Sequence, residues 1–123
     1  MFKELLLVFL GGGLGCSFRY LVSVLLARCK DFLGGFPINT MTANVIGCLL
    51  IGILIGYLNR FPNNSIRLLL VMGLCGGFTT FSTFSMEIIT LLRNGQIMMP
   101  MVYMFASLGL CLAATFVGLI LVR

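Results

Sequence analysis

LLLVMGLCGGFTTFSTFSMEIITLL, residues 68–92, starts as an unbroken apolar run and then changes character. Two glycines, Gly76 and Gly77, lead into Phe78, Phe81 and Phe84 at every third position, set among Thr79, Thr80, Ser82, Thr83 and Ser85. The stretch is long enough to cross a bilayer, which takes about 20 residues of helix. Glycine is the poorest helix former after proline, and Thr and Ser side chains offer the backbone competing hydrogen bonds. The spacing therefore predicts a helix that breaks between Gly76 and Thr80, near the middle of the span. Irregular backbone at that depth is tolerated only inside protein or against a cavity, and its freed carbonyls can hold a cation.

The rest of the chain has the same solvent in mind. Of 123 residues, 60% are hydrophobic and 9% charged, whereas a soluble domain carries about a quarter charged residues. Four apolar runs fit the length of a membrane span: 5–27, 38–58, 68–92 and 99–122. The connections 28–37, 59–67 and 93–98 are short and hold turn residues such as Gly34-Gly35, Pro62-Asn63-Asn64 and Asn94-Gly95. This predicts an all-α membrane protein, a single four-span domain over residues 1–123. The first run is too long for a cleaved signal peptide and has no small-residue cleavage site. No enzymatic activity is expected. Five cysteines and no histidine leave zinc and haem chemistry almost without ligands, so the cysteines read as small apolar packing residues. Asn63-Asn64-Ser65 matches a glycosylation acceptor by chance.

Charge is nearly even across the membrane. Lys3, Arg60, Arg67 and Arg123 share one side, against Arg28, Lys30 and Arg93 on the other. The positive-inside rule needs an excess to set orientation. A chain without one is expected to insert both ways and to assemble as an antiparallel, dual-topology homodimer. Two inverted copies would bring their third-span breaks together at the two-fold axis. The net charge of +5 flanks the spans and is no nucleic-acid patch; the expected surroundings are lipid.

Ionisable residues within hydrocarbon are functional candidates. Arg19 and Glu87 fall in the same half of the membrane, where they could pair or line one aqueous vestibule. The alternative reading of Arg19 is a snorkelling arginine, and that of Glu87, nearer the interface, a structural group. Asn44 must find partners for its amide, in an ion or in a neighbouring helix. Ala43, Gly47, Gly52 and Gly56 have the small-residue spacing of close helix contact. Tyr103, Ser107, Cys111 and Thr115 recur every four residues, a stripe about 18 Å long. It serves either as a track of donors or as hydroxyls bonded back to their own helix. The phenylalanines either pack or present their positive ring edges to an anion.

From Gly73 through Cys75, Gly76, Gly77 and the Phe/Thr/Ser run to Glu87, the chain resembles the Fluc/CrcB family of fluoride channels. Its length, its four spans, Arg19 after a glycine-rich half-span and Asn44 before Gly47 extend the likeness over essentially the whole chain. The resemblance implies a dual-topology homodimer in a bacterial plasma membrane, with two fluoride pores and a structural sodium ion at the dimer centre. It implies Phe81 and Phe84 as an aromatic box for fluoride, Asn44 and Ser82 as donors, and Thr83 beside them. It implies Tyr103, Ser107 and Thr115 as a polar track, Arg19 as vestibule cation, Glu87 near a pore mouth, and the Gly76 and Thr79 carbonyls as sodium ligands. Cys111 stands where that track has a hydroxyl, and Asn39 where the family often has glycine. Phe78 is left to packing.

A passive channel exporting cytoplasmic fluoride is the leading expectation. A proton-coupled small multidrug exporter is the alternative; it needs a deeply buried carboxylate, and Glu4 and Glu87 are both off-centre. A non-transporting assembly subunit is a third class.

Overall fold

A computed structural model describes residues Met1–Arg123, and every element in it is helical. In chain order these are α1 (Phe2–Leu25), α2 (Ala27–Phe32), α3 (Ile38–Arg60), α4 (Asn64–Ile66), a π-helical segment (Arg67–Cys75), α5 (Gly76–Phe78), α6 (Phe81–Arg93) and α7 (Met98–Leu121). Four helical runs are long and apolar enough to cross a membrane: Phe2–Leu25, Ile38–Arg60, Asn64–Arg93 and Met98–Leu121. At 1.5 Å per residue, 24 residues reach about 36 Å, more than the ~30 Å hydrocarbon core. The chain is a multi-pass membrane protein.

Local chemistry sets where these runs stop. The Asn63 side chain accepts the Ile66 N–H at 3.0 Å and opens the third run. At its far end Gly95 takes φ +79°, with Gly95 N–H bonded to Leu92 O and Gln96 N–H to Leu91 O. That doubled closure needs a left-handed residue, which glycine supplies without a Cβ penalty. Arg93 sits in the last turn, at the negative end of the helix dipole.

Inside the third run, Thr79 (φ −87°, ψ 157°) and Thr80 (φ −152°, ψ 121°) are extended between α5 and α6. Thr80 then caps α6, its Oγ1 accepting the Thr83 N–H at 3.2 Å. The preceding residues Arg67–Cys75 are wound as a π-helix, a wider coil bonded i to i+5 and common near functional sites.

Two helix pairs make up the packing, α1 with the π-segment and α5, and α3 with α7. Both depend on missing side chains. A Cβ on Gly11 would overlap the Leu69 carbonyl oxygen, and one on Gly15 the Leu74 carbonyl oxygen. A Cβ on Gly73 would lie 2.9 Å from the Gly11 Cα, and one on Gly77 2.5 Å from the Gly12 carbonyl oxygen. In the second pair, Gly52 backs onto the Thr115 carbonyl and Gly118 onto that of Leu49. Lipid tails are as apolar as leucine, so helix association in a bilayer comes from such close backbone packing. The α1 glycines and Gly73 and Gly77 are contact residues that the α3 pattern alone did not reveal. Phe78 is buried against Gly47.

Only 18 of the 123 residues are buried. A single chain thus leaves most of its apolar surface for lipid or for another protein. The chain's one ion pair joins the Met1 ammonium to Glu4 at 3.6 Å. Arg19 and Glu87 therefore do not pair: the Arg19 guanidinium turns to Cys16 Sγ on its own helix at 3.7 Å, while Glu87 is taken by hydroxyls of other helices.

Candidate functional site

The extended pair Thr79–Thr80 opens one side of a cleft of about 440 Å³. Asn44 and Cys48 of α3, Phe81 and Phe84 of α6, and Met104, Ser107, Leu108 and Cys111 of α7 complete its wall. No ionised side chain is among them.

Asn44 holds the interruption in place. Its Oδ1 accepts the Thr80 N–H at 2.8 Å, and its Nδ2 donates to the Thr80 carbonyl at 3.1 Å. The side-chain amide stands in for the neighbouring peptide that an unbroken helix would have offered. One Asn44 N–H remains, on a side chain that lines the cleft. Because the Thr80 N–H has turned to Asn44, the Gly76 carbonyl loses its helical partner four residues on. The Thr79 hydroxyl donates to the Cys75 carbonyl at 2.8 Å.

α6 begins with its rings aimed at this space. Phe81 is 79% exposed, and its centroid lies 5.7 Å from that of Phe84, the planes 40° apart. Phe84 in turn lies 5.0 Å from Tyr103, which Phe36 meets edge-on at 5.6 Å. Tyr103 is wholly buried and donates to Glu87 Oε2 at 2.7 Å, while Thr40 donates to Glu87 Oε1 at 2.7 Å. The Glu87 carboxylate thereby ties α6 to both α3 and α7 and sets the position of the aromatic row. Such charge-assisted bonds are stronger than neutral ones.

Five of the expected site residues share the cleft wall: Asn44, Thr79, Phe81, Phe84 and Ser107. The Ser107 Oγ is buried without a hydrogen-bond partner, an unspent donor in that wall. Ser82 and Thr83 lie at the cap of α6, their hydroxyls 3.3 and 3.1 Å from Thr80 Oγ1, and are exposed outside the wall. Thr115 bonds back to the Cys111 carbonyl at 3.0 Å, so the stripe on α7 divides: Tyr103 serves Glu87, Thr115 serves its own helix, and Ser107 and Cys111 face the cleft. Arg19 lies on α1, half-buried and away from the wall. Thr40, Thr80 and Phe36 carry much of the geometry and were not among the expected site residues. Thr40 has a sequence signal: it lies four residues before Asn44, on the same helix face.

The arrangement offers amide and hydroxyl donors and the positive edges of aromatic rings, with no fixed cation. It suits a small anion that must be held by partial charges and then released. The carboxylate of Glu87 is engaged by two hydroxyls, which leaves the proton-exchange chemistry of a multidrug exporter without support.

The family described as "CrcB-like protein, Camphor Resistance (CrcB)" matches residues 6–119. Proteins named fluoride-specific ion channel FluC are similar over nearly their full length. That of Phocaeicola vulgatus is 43% identical over 95% of this chain and 96% of its own. That of Flavobacterium psychrophilum is 42% identical over 98% of each, and that of Gloeothece citriformis 45% identical over 98% of this chain and 97% of its own.

Proposed function

The chain belongs to the CrcB-like protein family, and from that premise we propose that it is a passive, fluoride-selective ion channel. The observation that carries this reading is the uncharged cleft: Asn44, Ser107, Phe81 and Phe84 converge on one space, in a chain whose relatives bear the name of fluoride-specific channels. Hydrogen fluoride crosses membranes as a neutral weak acid and ionises inside. An open anion path lets the membrane potential expel the ion.

In this reading Phe81 and Phe84 turn their ring edges to fluoride, and the free Asn44 N–H and the Ser107 hydroxyl donate to it. Ser82 and Thr83 stand at the approach, while Tyr103 acts through Glu87 and Thr115 is bonded to its own helix. Arg19 and Glu87 sit toward a vestibule. Hydrogen bonds and ring edges replace a tight hydration shell, the general logic of selectivity filters.

The assembly is an antiparallel homodimer in a bacterial plasma membrane, its two copies meeting at interruptions near the midplane. Two observations support it: four basic residues stand against three on opposite sides, and the cleft of one chain is open along its flank, with Phe81 79% exposed. The Gly76 and Thr79 carbonyls would hold sodium at the centre. The donor set fits a hard cation, which takes oxygen ligands. Gly76 has a carbonyl released from the helix ladder, and a second copy doubles the count. The ion would bind the two interruptions together.

Efflux from fluoride-loaded vesicles holding the pure protein tests the reading. Fluoride leaves and chloride stays, and Phe81→Ile slows the efflux. Equal fluoride and chloride fluxes refute the selectivity; undiminished efflux through the Phe81→Ile protein refutes the role of the ring.

A further inference from the structure

Cys48 and Cys111 have no part in the ion path just described, yet both line its cleft. The helix register sets them face to face. α3 and α7 run in the same direction and touch where Gly52 backs onto Thr115. Cys48 lies four residues before Gly52 and Cys111 four before Thr115, so one turn back along the same two faces the thiols stand level. Neither is in a disulfide. Both are half-buried, reachable from the cleft. Cys75 is buried and does not line the space.

We propose that Cys48 and Cys111 form a two-thiolate site for a soft metal ion of the mercury(II) or copper(I) class, set in the cleft wall so that a bound ion obstructs the anion path. The obstruction rests on the channel reading; the site itself does not. Thiolate sulfur selects soft ions, and two sulfurs on separate, tightly packed helices suit a two-coordinate ion. No third histidine, cysteine or carboxylate joins them, which disfavours zinc, with its preference for four ligands. Mercuric chloride is a neutral molecule and needs no anion path to reach the thiols, because the cleft is open along its flank. On binding mercuric chloride, each thiol gives its proton to water and each Hg–Cl bond is replaced by Hg–S. Two protons and two chlorides leave, and no oxidation state changes.

The experiment uses the full chain with the exposed Cys16 and Cys29 changed to alanine, leaving Cys48, Cys75 and Cys111. One equivalent of mercuric chloride is added to the purified protein, unbound metal is removed, and free thiols are titrated after unfolding. Only the thiol of Cys75 should remain titratable. In parallel, vesicles holding this protein should lose most of their fluoride flux on adding mercuric chloride and regain it with excess dithiothreitol. Proteins further changed by Cys48→Ala or by Cys111→Ala should each keep their own metal-free rate. Three free thiols after mercury overturn the site, as does equal inhibition of both alanine variants. Two thiols protected with flux unaffected retains the site and overturns the obstruction. Absence of flux before any metal is added counts against the channel reading alone, because the thiol count still decides the site.

Discussion

Replacing Asn44 by alanine tests whether this side chain is first a backbone partner. The substitution removes the acceptor for the Thr80 N–H at 2.8 Å and the donor to the Thr80 carbonyl at 3.1 Å. Thr80 is 9% exposed, so water does not readily replace them. Each buried polar group left unpaired costs about 1–3 kcal/mol. Asn44 is itself half-buried, which favours the lower part of that range and gives about 2–4 kcal/mol for the pair. At about 1.4 kcal/mol per factor of ten, the intact interruption becomes rarer by well over an order of magnitude against conformations in which Thr80 rejoins a helix. The Phe81 and Phe84 rings follow directly from Thr80, so fluoride flux should fall together with stability. Unfolding of the purified protein in detergent and fluoride efflux from vesicles, measured on the same preparations, give the two numbers. An Asn44→Ala protein with stability within about 0.5 kcal/mol of the parent, the range of an indifferent surface change, but with flux lost, would refute the staple. Asn44 would then act on the ion alone.

Three further outcomes are expected. Gly77→Ala places a Cβ 2.5 Å from the Gly12 carbonyl oxygen and should destabilise the protein by about 1–3 kcal/mol through overpacking. Gly13→Ala, which meets nothing within 4 Å, serves as the matched control in the same unfolding assay. Tyr103→Phe removes one of two hydroxyls from the Glu87 carboxylate and should cost about 1.5–3 kcal/mol, as for bonds to charged groups, with slower fluoride efflux because Phe84 loses its anchored neighbour. Cys29 is exposed in the connection after α1, so with near-even flanking charge about half the copies in sealed vesicles should react with a membrane-impermeant maleimide; labelling of all copies or of none excludes dual insertion.

The spans were legible in the sequence because bilayer length and apolar composition leave few options. Residues 38–58 anticipate α3 (Ile38–Arg60), and 99–122 anticipate α7 (Met98–Leu121). The glycine contacts were only partly legible. Spacing marks a close-packing face, as on α3, but cannot say that Gly11 and Gly15 meet the π-segment and α5, because that depends on a partner far along the chain. Glu87 shows the same limit in a polar group. Coulomb attraction suggested Arg19, yet two neutral hydroxyls from α3 and α7 reach the carboxylate instead, and nothing in their sequence spacing links Thr40 to Tyr103. Asn44 was marked as a group in need of partners; that both belong to the backbone of one residue, Thr80, is a matter of how the helices are set. The facing of Cys48 and Cys111 is invisible for a similar reason, since it arises from register between α3 and α7.

Three separate partners read the rotation of the third run: α1 through Gly73 and Gly77, Asn44 through Thr80, and the Thr40–Tyr103 pair through Glu87. Adding or deleting one residue in an α-helix turns everything beyond it by about 100°, which would spoil at least two of these meetings at once. The gene therefore has far less freedom to change length here than to change letters, and insertions belong in the connections around Gly34 or Gly95. Besides the extended Thr79–Thr80, the π-wound Arg67–Cys75 is where the coil inside the run already departs from 3.6 residues per turn, and there a length change has slack to disappear into.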